Sequence, residues 1–184
     1  MTALRLAIIA AVAFAAAAGC ETTSHVHGSS LGDATRAVAV LSPTEGNQTR
    51  GQIWFHQQGS RVTVTATVEG LEPSSEHAWH IHEYGDITGP AGTATGGHYN
   101  PEGHAHGLPG NPARHAGDFG NLVADATGRA HKVITVENIT IAGTRNPIVG
   151  RGVIVHAKMD DGGQPTGNAG ARIAQGVIGI AKTP

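Results

Sequence analysis

The sequence predicts an all-β fold, a sandwich or barrel of about eight short strands, and three observations support it. Apolar and polar residues alternate with a period of two, most clearly over residues 61–68, where every second side chain is Val or Ala. Turn-forming pairs such as Ser42-Pro43 and Thr127-Gly128 separate these stretches. After the first twenty residues, no long stretch has the 3.6-residue period of a helix. The predicted strands cover residues 36–41, 51–56, 61–68, 78–83, 120–124, 129–136, 148–157 and 172–181.

The composition excludes one class of function and favours another. The chain has 184 residues and a formal net charge of -2, with no basic block or stripe, so nucleic acid is not a predicted partner. Its 12 histidines equal its lysines and arginines together. Such an excess of histidine in a globular chain indicates metal binding.

The first residues read as a targeting segment rather than as part of the fold. Arg5 precedes an apolar run over residues 6–18, which is short for a membrane span. The run ends in Ala17-Ala18-Gly19-Cys20, which resembles a bacterial lipoprotein cleavage box. We therefore expect an exported protein, lipid-anchored through Cys20 on the periplasmic side of a membrane or at the cell surface. The predicted organisation is a signal peptide at residues 1–19, the lipidated cysteine and a flexible tether at 20–35, and one domain at 36–184.

Two glycine-rich stretches, residues 84–119 and 160–171, interrupt the strand pattern. Long loops on a β scaffold are usually functional or disordered. Both stretches lack the charge excess of disordered segments and have histidines beside them, so we expect metal to order them. The tether contains His25 and His27, which we interpret as part of a solvated linker; weak capture of copper or zinc by this His-x-His pair is the alternative.

Histidines in and around the first loop supply ligands of the right types for two metals. His80 and His82 are two apart on a predicted strand, so their side chains project from the same face. The loop then offers three histidines and an aspartate, a set that zinc accepts in a closed tetrahedral site. His104 and His106 are both open for one of these positions. The candidates that follow the strand pair are His98, His104, His106, His115, Asp118 and, on a later strand, His156.

Five segments resemble signature blocks of the copper/zinc superoxide dismutase family, in the family's order. They are HIHEYGD, GGHYNP, RHAGDFGN, VIVHAKMDD and GNAGARIAQGVIGIAK. The resemblance covers about residues 36–182. It implies an eight-stranded Greek-key β-sandwich or barrel of immunoglobulin-like architecture with two long functional loops. It also implies an enzyme that converts superoxide to oxygen and hydrogen peroxide by copper redox cycling, with a structural zinc.

The resemblance assigns a role to each site residue. It implies one copper per subunit, held by His80, His82, His98 and His156, and one zinc, held by His98, His106, His115 and Asp118. His98 would bridge the two metals and exchange a proton during turnover. The family's spacing favours His106 over His104 as the zinc ligand. Asp160 would accept hydrogen bonds from His80 and His106, and Arg172 would guide and hold the superoxide anion.

One departure from the family concerns stability. The family usually ties the first loop to the position three after the arginine with a disulfide, but here that position is Gln175 and Cys20 is the sole cysteine. A missing disulfide of that kind typically costs about 2–4 kcal/mol. We therefore expect the metal-free protein to be soft, with the positioning of Arg172 and the packing of a homodimer affected.

A second hypothesis is a periplasmic module of the same fold that binds or delivers copper or zinc. His25 and His27 would suit such a carrier, but a carrier needs neither Arg172 nor a complete bridged site. All seven ligand positions and the arginine are filled, which favours catalysis.

Overall fold

The computed structural model describes residues 31–182. The predicted signal peptide, Cys20, His25 and His27 lie outside the described residues. Short 3-10 helices occur at Leu31–Asp33 and Thr93–Thr95. None of the helices within residues 31–182 is long and apolar enough to cross a membrane. The strands are β1 Arg36–Pro43, β2 Arg50–Gln58, β3 Arg61–Glu69, β4 Glu76–His82, β5 Asp118–Val123, β6 Ala130–Val136, β7 Gly152–His156 and β8 Arg172–Ile180.

The eight strands form a single antiparallel sheet in the order β5-β4-β7-β8-β1-β2-β3-β6. Strand β4 pairs with β7 rather than with β3, so the order departs from a simple meander, as Greek-key connections require. The outermost strands β5 and β6 approach each other, and Nζ of Lys132 on β6 donates to the backbone oxygen of Asn121 on β5 at 2.6 Å. The sheet is thus a nearly closed barrel, and the predicted all-β fold is confirmed.

The period-two alternation decides which side chains enter the core. On β3, Val62, Val64, Ala66 and Val68 are buried, while the threonines between them are partly or fully exposed. Facing strands contribute larger residues, and the fully buried ring of Trp79 lies 5.0 Å from that of Phe119. Burial of such side chains stabilises the barrel by roughly 1.5–3 kcal/mol each.

Most strand boundaries differ from the prediction by one or two residues, and the start of β7 differs by four. The strand expected over 148–157 is shorter, because Gly150 has a φ of 83° and forms a turn before β7 begins at Gly152. The first long loop ends earlier than expected, since β5 already begins at Asp118. The two connections that remain, residues 83–117 and 157–171, contain one short 3-10 helix and no strand.

Candidate metal centre

Strand β4 presents histidines on one face and core residues on the other. Trp79 and Ile81 are fully buried in the apolar core, as the alternation predicts. His80 and His82 point away from that core and are nevertheless buried by the loops that cover them. The extended strand therefore holds two imidazoles in fixed directions before any metal is present.

Two further elements bring histidines to the same place. His98 lies in the first loop and forms an isolated antiparallel bridge with His82. His156 is the last residue of β7, and the pairing of β7 with β8 shifts register between Val155 and His156. Such an irregularity re-aims a side chain at the end of a strand. The possible ligand atoms of this all-histidine cluster lie within 4.8 Å of one another; its members are His80, His82, His98 and His156.

A second cluster, the aspartate cluster, shares His98 with the first and consists of His98, His106, His115 and Asp118. Nδ1 of His98 lies 2.9 Å from Oδ1 of Asp118, and Nδ1 of His115 lies 3.3 Å from the same oxygen. Nδ1 of His98 and Nδ1 of His115 are 3.4 Å apart. All four residues are buried, so a carboxylate and three imidazoles converge away from bulk solvent.

His106 belongs to the aspartate cluster and comes from the middle of the first loop. Its Nδ1 is 3.0 Å from Oδ2 of Asp118, but the pair lacks the geometry of a hydrogen bond and Nδ1 has no hydrogen-bond partner among the described residues. Two lone-pair atoms at this distance are typical of ligands that share a cation. His104, the other candidate, is outside both clusters, and its Nε2 lies 3.2 Å from Oε2 of Glu102.

The donor sets fit copper and zinc. Nδ1 of His80 and Nε2 of His82 and His156 are buried and have no hydrogen-bond partner within residues 31–182. Unpaired buried polar atoms are costly, and a metal ion that accepts their lone pairs removes that cost. A cluster of imidazoles suits copper, whereas three imidazoles and a carboxylate match a closed zinc site. Ligands around a tetrahedral zinc lie about 3.3 Å apart, close to the spacing in the aspartate cluster.

Hydrogen bonds on the opposite ring nitrogens fix the tautomers. Nε2 of His80 and Nε2 of His106 each lie 2.9 Å from Asp160, one on each carboxylate oxygen. A carboxylate only accepts, so both Nε2 atoms donate, and in the neutral form of each ring Nδ1 carries the lone pair. Nδ1 of His82 donates to the Gly96 oxygen at 3.0 Å, which leaves its Nε2 free in the same way. Asp160 therefore contacts one histidine of each cluster.

Burial keeps three histidines of the all-histidine cluster neutral. It lowers the pKa of His80 to about 4 and that of His156 to about 3, and it holds the pKa of His82 well below its ordinary value. Burial would also lower the pKa of His106, but the neighbouring carboxylates of Asp118 and Asp160 raise it to about 9. At neutral pH His80, His82 and His156 thus offer lone pairs, while a metal ion at Nδ1 of His106 would have to displace a proton.

Asp118 and Asp160 remain ionised in these surroundings. Burial favours the protonated form of Asp118, but its contacts with His106 and His98 lower its pKa further than burial raises it. Contacts with His106 and His80 do the same for Asp160. Both carboxylates therefore supply negative charge next to the cation sites.

Arg172 lies at the mouth of the site. It lines a cavity of about 510 Å³ together with His82, His98 and His156. Its guanidinium donates to the Gly92 oxygen at 2.6 Å, to Oγ1 of Thr95 at 2.9 Å and to the Gly96 oxygen at 2.7 Å. Three of its five N–H groups are thereby used, and no contact within residues 31–182 accounts for the other two.

Several contacts and residues around the site were not predicted from the sequence. Lys158 lines the same cavity and adds a second positive charge; its position two residues after His156 is the one signal for it in the sequence. Thr95 holds Arg172 from 77 residues away. The amide of Gln164 bonds the backbone of His106, and Gln175 donates from Nε2 to the backbone oxygens of Ile87 and Gly89. Partners so distant in sequence leave no local pattern.

Comparisons with known proteins agree on a family. The sequence model of copper/zinc superoxide dismutase (SODC) matches residues 49–178. The chain is 45% identical over 153 residues to superoxide dismutase (Cu-Zn) 2 of Brassica juncea, covering 79% of this chain and 97% of the relative. It is 43% identical over 170 residues to the extracellular superoxide dismutase (Cu-Zn) of Onchocerca volvulus, covering 86% and 82%.

Similarity to solved structures extends to the whole barrel. The crystal structure of the clock protein EA4 matches with a TM-score of 0.73 and 42% sequence identity. The match covers 80% of this chain and 96% of the other.

Proposed function

The chain belongs to the copper/zinc superoxide dismutase family, and from this membership we propose a residue-level assignment of its metals and its catalytic groups. As a member, it is an oxidoreductase that converts two superoxide anions and two protons into oxygen and hydrogen peroxide, with copper and zinc as cofactors. The observation that carries the assignment is the pair of buried ligand clusters joined at His98.

The all-histidine cluster would hold copper and the aspartate cluster would hold zinc. When bound, copper supplies a one-electron redox couple, and zinc, which has no redox chemistry, supplies a fixed positive charge. Asp160 orients His80 and His106 by accepting their Nε2 protons at 2.9 Å. It is thus proposed to keep one ligand of each metal in the correct tautomer.

His98 is proposed to move a proton. Its Nδ1 faces Asp118 at 2.9 Å, so Nε2 is the nitrogen that serves the all-histidine cluster. His98 would take up a proton from solvent at Nε2 as the first superoxide gives one electron to the redox couple and leaves as oxygen. It would give this proton to the second superoxide, which takes another from water and leaves as hydrogen peroxide. His98 is only 6% exposed, so proton exchange is confined to the cavity.

Arg172 is proposed to bind and orient the anion. Superoxide carries one negative charge, and the N–H groups of Arg172 that do not contact the loop provide charge-assisted donors beside His98 and His156. The formal net charge of the chain is -2, so attraction of an anion depends on the local field of Arg172 and Lys158.

The assignment is tested by metal analysis of the full-length protein. We expect about one copper and one zinc per chain after loading, and rapid, cyanide-sensitive loss of superoxide. His156→Ala should lose copper and activity but retain zinc. Tight binding of both metals without turnover would contradict the assignment and favour the carrier that binds or delivers metal.

Export and lipid anchoring extend the proposal to the N-terminal segment. The features that support it are the apolar run over residues 6–18 and the small residues before Cys20, and one relative is named an extracellular enzyme. We expect the mature protein to fractionate with membranes and to carry a diacylglyceryl group on Cys20. Mass spectrometry of the N-terminal peptide tests this, and Cys20→Ser should release the protein into the soluble fraction.

A homodimer is proposed to pair through the exposed apolar side chains of Tyr84, Ile87 and Ile180. Ile180 ends β8, and Ile87 lies in the loop whose backbone accepts from Gln175 on the same strand. Tyr84→Lys should shift sedimentation toward the monomer if this surface pairs two copies, whereas unchanged sedimentation would exclude it.

A further inference from the structure

The backbone N–H and C=O groups of His106 need hydrogen-bond partners, and no strand or helix in its own loop supplies them. His106 is 3% exposed and lies between residues 100 and 117, where there is no strand or helix. Buried backbone N–H and C=O groups must be paired to avoid a large desolvation cost. Since His106 is a proposed zinc ligand, whatever pairs its backbone also fixes its position.

The side-chain amide of Gln164 pairs with both groups. The backbone N–H of His106 donates to Oε1 of Gln164 at 3.2 Å, and Nε2 of Gln164 donates to the backbone oxygen of His106 at 2.9 Å. The two residues are 58 positions apart and belong to different loops. Gln164 itself is exposed, so the amide reaches inward from the surface.

The segment around Gln164 also contacts the imidazole ring of His106. Oδ1 of Asp160 lies 2.9 Å from Nε2 of His106 and also accepts from the backbone N–H of Gly162 at 2.9 Å. Gly167 lies so close to the contact between Asp160 and His106 that a Cβ there would be 2.8 Å from Nε2 of His106. A backbone bond from Gly167 to the Gly163 oxygen at 2.6 Å closes the turn.

The same segment continues into the wall of the cavity. Residues on both sides of Gly167 line the cavity together with His98 and Arg172; they are Thr166, Asn168, Ala169 and Gly170. The backbone of the wall is held in turn by β7 and the residues after it, for example by a bond from Lys158 N–H to the Ala169 oxygen at 2.9 Å. Gln164 therefore links the aspartate cluster to the segment that forms the wall of the cavity.

We propose that Gln164 is a positioning residue that locks the segment 160–170 onto His106, slowing zinc release and fixing the wall of the anion cavity. The proposal rests on the proposed function, in which His106 is a zinc ligand. Removing the amide leaves two buried backbone groups of that ligand unpaired and detaches the wall on one side. Outer contacts of this kind typically change metal affinity by about 10–100-fold.

The test compares zinc release from three forms of the loaded full-length protein. Gln164→Leu keeps the approximate volume but removes both hydrogen bonds, and Gln58→Leu is a control at an exposed glutamine at the end of β2. We expect a chelator to take zinc from Gln164→Leu at least about tenfold faster than from the wild type, with the control unchanged. Copper content should be the same in all three.

Hydrogen exchange on the loaded protein gives a readout that does not depend on activity. The amide of His106 and the peptide covering 160–170 should exchange faster in Gln164→Leu than in the other two forms. Wild-type zinc release together with wild-type exchange in Gln164→Leu would overturn the proposal. His106→Ala separates this failure from failure of the ligand assignment, because only a wrong assignment would let that variant retain zinc normally.

Discussion

At the scale of single residues, Arg172 illustrates how a charge is positioned without an ion pair. Its three hydrogen bonds all go to neutral acceptors in the loop at residues 92–96. No carboxylate within residues 31–182 neutralises it, so its full charge is available to an anion. Burial lowers the pKa of the guanidinium, but Arg stays protonated in proteins.

Arg172→Ala should therefore slow turnover while both metals stay bound. We expect the second-order rate to fall by about tenfold or more and its dependence on ionic strength to weaken, because a focused local field is lost. Stopped-flow kinetics over a series of salt concentrations measures both. Arg61→Ala removes the same charge from an exposed pair with Glu137 and should change neither, whereas equal effects of the two variants would remove Arg172 from the steering role.

Asp118 has a different task, since it contacts every histidine of the aspartate cluster. It lies 2.9 Å from His98 and 3.0 Å from His106, and it accepts from the backbone N–H of Gly107 and His115. Its carboxylate supplies the single negative charge among the ligands of that cluster.

Asp118→Ala should lose zinc far more than copper, because the all-histidine cluster keeps its four imidazoles. Elemental analysis after dialysis measures both metals in one sample. Asp125→Ala, an equal change of charge in an exposed turn, serves as the control. Equal loss of both metals from Asp118→Ala would contradict the division of ligands between the clusters.

At the scale of elements, the eight strands were predicted from alternation and turn residues because burial of one face imposes a local pattern. The contacts that hold the loops could not be predicted in this way. Gln164 meets His106 across 58 positions, and Gln175 meets Ile87 across 88. An amide has no preferred spacing to its partner, so only the folded barrel reveals which glutamine makes a structural bond.

Gln175 stands where the family resemblance places a disulfide, and it makes a weaker link between the same elements. Its Nε2 lies 3.2 Å from the Ile87 oxygen and 3.4 Å from the Gly89 oxygen. Its Oε1 is buried and has no hydrogen-bond partner among the described residues. The loop that carries Gly92 and Gly96, and hence the acceptors of Arg172, is thus held to β8 by hydrogen bonds instead of a covalent bond.

Gln175→Leu should loosen this loop with only a modest loss of stability. Two hydrogen bonds disappear, but one unsatisfied acceptor disappears with them, so we expect a net destabilisation of about 1 kcal/mol. Hydrogen exchange over residues 84–97 should accelerate clearly, and denaturant titration gives the free energy of unfolding. Gln52→Leu on the exposed face of β2 is the control, and unchanged exchange in Gln175→Leu would show that the loop is held by other contacts.

At the scale of the whole molecule, the domain unites a barrel core with a site whose buried groups need metal. The core is continuous and apolar, and most of its side chains come from the eight strands, while a few such as Tyr99 and Ile141 come from the connections. The two clusters instead bury six histidines and one aspartate whose lone pairs face each other. Without metal, these groups favour opening of the loops, because each regains hydrogen bonds to water when it is exposed.

Removing zinc should therefore lower the melting temperature of the whole domain. A metal that binds only the folded state at about a thousand times its dissociation constant stabilises it by about 4 kcal/mol. For a chain of this size, that corresponds to a fall of roughly 8–16 °C. Calorimetry of the zinc-loaded and zinc-depleted protein at equal copper content measures the shift. Asp118→Ala should show almost no shift, because it cannot hold zinc in either sample. An unchanged melting temperature in the wild type would mean that the barrel and amide contacts such as those of Gln164 and Gln175 suffice to replace the disulfide.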